Sequence, residues 1–76
     1  PFNPNTKISW QTPVSGWQTL KVYDVLGNEI VTLVDEYKAA GDYEINFNAS
    51  NLSSGIYFYQ LRSGNYLETK KMTLLK

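Results

Sequence analysis

Asp42-Tyr43-Glu44-Ile45-Asn46-Phe47 sets a polar side chain beside an apolar one at every step. Successive side chains of a β-strand point to opposite faces, so a period of two describes a strand with one dry face and one wet face. Thr19-Leu20-Lys21-Val22-Tyr23-Asp24 carries the same pattern upstream. Leu20, Val22, Tyr43, Ile45 and Phe47 are therefore the expected core, where an alanine should cost roughly 2–4 kcal/mol.

Working outward, strands are expected from Thr6 to Thr12, Trp17 to Val25, Asn28 to Val34, Asp42 to Asn48, Gly55 to Ser63 and Tyr66 to Leu75. Turn-forming residues separate them at Pro13 to Gly16, Leu26-Gly27, Lys38 to Gly41, Asn48 to Ser54 and Ser63-Gly64-Asn65. Such even spacing predicts a small all-β, antiparallel sandwich. Gly64-Asn65 marks the clearest hairpin, because both residue types accept the backbone of a tight turn. Val31 to Ala40 reads two ways. Val34 and Tyr37 followed by Gly41 suit a short helix with a glycine cap, whereas the β-branched Val31, Thr32 and Val34 favour a strand followed by a longer loop.

Composition narrows the function. Seventy-six residues make one small domain, and 42% apolar with 14% aromatic side chains mark it as globular. Seven basic and seven acidic side chains cancel, so overall charge points to neither nucleic acid nor an anionic membrane. The chain has no cysteine and no histidine, which removes disulfides, thiolate chemistry, and the commonest general base and metal ligand. No apolar run of about 18 residues is present to span a membrane as a helix. The chain opens on Pro1 and not Met, so the lack of a visible leader says nothing of the parent's export. A monomer without metal or cofactor is expected.

Charge is unevenly placed. Asp24, Glu29, Asp35, Glu36, Asp42 and Glu44 are six of the seven acids, and Lys38 alone opposes them in that span. Arg62, Lys70, Lys71 and Lys76 later face only Glu68. Lysines on a last strand blunt edge-to-edge pairing, and they also suit recognition by an acidic receptor. Asp35-Glu36 is the one adjacent pair of carboxylates, and neighbours in a strand point apart, which does not suit two-carboxylate catalysis. Asp24, Asn28 and Glu29 have oxygens for a hard cation but flank Gly27 and read better as turn formers. Asn48-Ala49-Ser50 and Asn51-Leu52-Ser53 match the glycosylation sequon, a pattern common by chance in such loops. Trp10 and Trp17, if exposed on one face, would make a sugar-binding platform; in a domain this small, tryptophans more often belong to the core.

Four stretches together carry a resemblance. Pro1-Phe2-Asn3-Pro4-Asn5-Thr6-Lys7-Ile8 resembles the later part of a Y-P-N-P-F-N-P-x-T-x-I motif, without its first three residues. Leu20-Lys21-Val22-Tyr23-Asp24-Val25-Leu26-Gly27-Asn28-Glu29-Ile30 is similar to L-x-V-Y-D-x-x-G-x-x-V, and Leu52-Ser53-Ser54-Gly55-Ile56-Tyr57 to L-x-x-G-x-Y. Lys70-Lys71-Met72-Thr73-Leu74-Leu75-Lys76 resembles a K-x-x-L-x-K terminus. In this order they are the motifs of type A C-terminal sorting domains of type IX secretion.

The resemblance implies an Ig-like sandwich of about seven strands, with residues 1–5 as linker and start of the motif and 6–76 as the domain. The run from Tyr66 to Leu75 is long enough to divide and supply the seventh strand. It further implies a non-catalytic address on a larger cargo protein of Bacteroidetes-type bacteria. An outer-membrane translocon would read the address, and a sortase would cut upstream of Pro1. The cargo would then be anchored at the cell surface or released. Pro4, Tyr23, Asp24, Gly27, Gly55 and Tyr57 are expected to be structural. Lys70, Lys71, Met72, Leu74, Leu75 and Lys76 are the expected recognition strand, with Met72, Leu74 and Leu75 divided between core and contact face. The V-Y-D-x-x-G signature is also similar to that of Ig-like spacer modules of surface enzymes and hook-capping proteins, in which the terminus should be dispensable.

Overall fold

The computed structural model describes residues 5–75. β1 (Asn5–Thr12) and β4 (Gly41–Asn48) pair antiparallel, and their register sorts the side chains by polarity. Thr6 lies opposite Phe47, Ile8 opposite Ile45, and Trp10 opposite Tyr43; the alternate pairs are Lys7 with Asn46, Ser9 with Glu44, and Gln11 with Asp42. One face of this two-stranded sheet is thus nearly all apolar and the other all polar, and a slip of one residue would invert both. Trp10 and Tyr43 stack with ring centroids 5.8 Å apart.

The second sheet has four antiparallel strands in the order β3-β2-β5-β6, with β2 at Gly16–Tyr23, β3 at Glu29–Lys38, β5 at Gly55–Ser63 and β6 at Tyr66–Leu74. Its buried face presents Gln18, Leu20, Val22, Val34, Tyr57, Leu61 and Leu74 to Ile8, Trp10 and Phe47 of the first sheet. Leu20, Val22 and Phe47 are buried as expected, while Tyr43 and Ile45 are half-buried and packed against the core. The result is an antiparallel sandwich of Ig-like type with layers of two and four strands.

Two expectations change. The described residues hold six strands, not about seven, because the last stretch does not divide. It contains no glycine or proline, and it pairs with β5 without interruption from Ser63 opposite Tyr66 to Gly55 opposite Leu74. The ambiguous stretch is strand and runs on to Lys38. Its pairing with β2 shifts register twice, leaving Leu33 and Ile30 as extra residues. Each bulge adds one residue to β3 without adding one to β2. The β5–β6 turn is Gly64-Asn65 with Gly64 at φ +61° and no positive φ at Asn65, the type II′ pattern.

Candidate functional site

β6 is the outermost strand of its sheet, so one row of its main-chain groups faces away from β5. Strand alternation divides the expected recognition residues. Leu74 is buried in the core, Met72 is half-buried against it, and Leu75 just past the strand is 68% exposed. Lys70 and Lys71, adjacent in sequence, point to opposite faces. Lys70 faces an open cleft of about 960 Å³ between β6 and the edge of the small sheet, and its Nζ lies 4.0 Å from Glu68. Lys71 is exposed on the outer face, level with Phe58, and makes no ion pair among the described residues. Lys76 and Pro4 lie outside the described residues.

Asp42, Glu44, Tyr43 and Tyr66 also line the cleft. Partial desolvation, then the hydrogen bond and charge of Glu68, raise the Tyr66 phenol above its ordinary range. Glu44 is 3.7 Å from Lys7. Asp35 accepts a hydrogen bond from Trp17 Nε1 at 2.7 Å, while Glu36 pairs with Lys38 at 3.1 Å, so the adjacent carboxylates serve separate partners. Among the described residues no group of three or more acidic or metal-ligating side chains is placed to hold a metal.

The β2–β3 turn shows what the V-Y-D-x-x-G stretch does. Asp24 Oδ1 accepts hydrogen bonds from the amides of Leu26 and Asn28, both at 2.9 Å, and Oδ2 accepts one from Asn28 Nδ2 at 3.2 Å. Gly27 N–H donates to the Asp24 carbonyl at 3.1 Å, and Asp24 N–H to the Asn28 carbonyl at 3.0 Å. Gly27 has φ +85°, a backbone that a β-carbon would strain. The pattern is a type I turn closed by a left-handed glycine, with Asp and Gly at the positions such turns favour. The Asn28 amide, more than any other contact, lowers the Asp24 pKa from its ordinary value, with partial desolvation opposing. Tyr23, half-buried, ends β2 opposite Phe58 on one side and Glu29 on the other.

The L-x-x-G-x-Y stretch is a second local device. Tyr57 is buried, and its hydroxyl donates to the Ser53 carbonyl four residues upstream at 2.9 Å. Gly55 between them has φ +152°, although a β-carbon there would meet nothing within 4 Å. Its backbone angle, and not a close neighbour, is what calls for glycine. The same arrangement occurs at the start of β4, where the Tyr43 hydroxyl donates to the Ala39 carbonyl and Gly41 has φ +154°. Both are corners of the kind in which a tyrosine ties a strand to the loop before it. The second was not read from sequence, yet its signal was there: Gly41-Asp42-Tyr43 repeats the spacing of Gly55-Ile56-Tyr57.

The two tryptophans do not form a common platform. Trp10 faces the core, 8% exposed, and Trp17 lies 59% exposed on the outer face of the other sheet. Buried Gln18, which sequence reading passed over, receives the Trp10 Nε1–H at 3.0 Å.

Motif stretches that fold into two clamped turns, followed by an edge strand, run from one end of the chain to the other. A family model described as the secretion system C-terminal sorting domain matches residues 1–75. The chain belongs to this family. In this sorting domain the match takes in the first three motif stretches whole, with the Asp24 turn and the Tyr57 corner, and the final basic stretch as far as Leu75. No curated protein and no solved structure matches the chain.

Proposed function

We infer that this sorting domain is a non-catalytic address that carries an exported cargo protein across the outer membrane by type IX secretion. The family match over residues 1–75 carries the reading. Residues 1–5 join the cargo to the domain at 6–76, and a sortase removes the domain upstream of Pro1 once an outer-membrane translocon has read it. The cargo passes through the periplasm and ends at the cell surface or outside the cell.

The recognition strand is β6. Its open edge offers main-chain hydrogen bonds to an added strand, a common mode of peptide and domain capture. Lys71 and Leu75 are exposed to a receptor; Met72 and Leu74 hold the strand in place from the core side. Lys71 raises the rate of encounter with an acidic surface.

The test places the 76-residue chain behind a fluorescent protein with an export signal, in a host with type IX secretion. Delivery to the surface or medium is expected from the intact chain. Periplasmic retention is expected when Leu75 and Lys76 are removed, a cut that spares the buried Leu74. Equal delivery by a truncated chain that still folds would leave the domain a structural spacer.

A further inference from the structure

The two tyrosine corners share one design but serve different sheets. Tyr57 ties the start of β5 to the Ser53 carbonyl, and Tyr43 ties the start of β4 to the Ala39 carbonyl. Each tyrosine stands two residues after a glycine of positive φ. They differ in what the clamped strand holds next. The first residues of β4 pair with the end of β1, with Gly41 opposite Thr12 and Tyr43 opposite Trp10. The first residues of β5 pair with the end of β6, with Gly55 opposite Leu74, Ile56 opposite Thr73 and Tyr57 opposite Met72. The Tyr57 corner therefore stands beside the last residues of the recognition strand.

Those residues need a fixed neighbour. A strand end near a terminus frays unless it is tied down. Among the described strands β6 pairs with β5 alone. At the end of β6 the partner is itself the start of a strand, which would fray in turn without its corner. The loop before β5 is anchored. Ala49 is buried, and Leu52 packs against the core and donates its N–H to the Ala49 carbonyl at 3.0 Å. The Tyr57 hydroxyl carries that anchorage through Ser53 to β5, and the strand pairing carries it on to β6. On the inner face Tyr57 and Met72 stand opposite one another, with Leu74 in the same buried cluster.

We propose that Tyr57 is a positioning residue for recognition: its hydroxyl keeps Met72 to Leu74 in register, so that Leu75 is presented to the receptor from a fixed strand end. The proposal deepens the sorting reading, on which its effect on delivery rests. A receptor that must first order even one frayed residue binds about tenfold more weakly.

Tyr57→Phe and Tyr43→Phe each remove one hydroxyl and keep the ring, so each serves as the other's control. Native-state hydrogen exchange of the purified chain is followed at the amides of Met72 to Leu74 that face β5, and at those between β1 and β4. Tyr57→Phe should speed exchange about tenfold at the end of β6 and leave β1 and β4 near the parent rate; Tyr43→Phe should do the reverse. Equal acceleration of both regions by Tyr57→Phe, or none at β6, overturns the proposal. If Tyr57→Phe melts below growth temperature, exchange at about 10 °C, near the usual maximum of stability, decides by the same outcomes. In the exported fluorescent fusion, delivery should fall about tenfold with Tyr57→Phe and hold at the parent level with Tyr43→Phe. Equal delivery by the two variants overturns the proposal and leaves the sorting reading intact. Failure of the intact chain to deliver overturns that reading and the recognition role with it.

Discussion

Trp10 on β1 and Gln18 on β2 join the two sheets through an indole N–H donated to the Gln18 side-chain oxygen, 3.0 Å across a site closed to water. Gln18 Nε2 has no partner there. Removing either residue strands the other's polar group, at about 1–3 kcal/mol, whereas removing both leaves nothing to satisfy. Gln18→Met and Trp10→Phe should each destabilise the domain. Their summed cost should exceed that of the double variant by at least about 1 kcal/mol in urea unfolding. Simple additivity would mean the bond contributes nothing.

Asp24 predicts the acid limb of stability. Its folded pKa is depressed, chiefly by the Asn28 amide, so its contribution is full above the unfolded value and is lost as pH falls through the folded one. The melting temperature of the parent should therefore exceed that of Asp24→Asn at about pH 6 and converge on it toward about pH 2. A gap of constant size across that range would remove the carboxylate from the account.

Gly55 and Gly16 separate backbone angle from crowding. A β-carbon meets nothing within 4 Å at either, but only Gly55 has a positive φ. Gly55→Ala should cost about 1–3 kcal/mol and Gly16→Ala much less. Equal losses would mean that the Tyr57 corner does not depend on the angle.

Leu74 and Leu75 are neighbours with opposite duties. Leu74→Ala should cost roughly 2–4 kcal/mol in denaturant unfolding, because it opens a hole in the core. Leu75→Ala should unfold like the parent. A Leu75 variant as unstable as the Leu74 variant would remove Leu75 from the contact surface.

Acrylamide should quench the fluorescence of Trp17 and spare that of Trp10, since only Trp17 is open to solvent. Uniform quenching of both rings would contradict the placement of Trp10 in the core.

Most of the strands were legible because β1, β2 and β4 hold the period of two throughout. The first half of β3 was legible too, but its continuation from Asp35 to Lys38 was not, and the bulges give the reason. With Ile30 and Leu33 as extra residues, Val31 and Val34 both turn inward at a spacing of three, which imitates one face of a helix. Gln18 escaped because a buried amide looks like any polar residue until its partner on another strand is known. At the candidate site, Lys70 and Lys71 read as one basic patch along the chain, yet the pleat sends them to opposite faces. Tyr57 could be quoted from the motif, but the motif alone does not show that its corner stands beside the last residues of β6.

The strand order has a kinetic consequence. β2–β3 and β5–β6 are hairpins that close locally, on a timescale of about microseconds. β1 must wait for β4, and β2 for β5, so each sheet depends on a pairing that reaches over two intervening strands. The long-range closures interlock, since the chain between β1 and β4 contains β2 and β3. Folding should accordingly fall in the range of about milliseconds to seconds typical of such topologies, with neither half of the chain able to form its sheet alone.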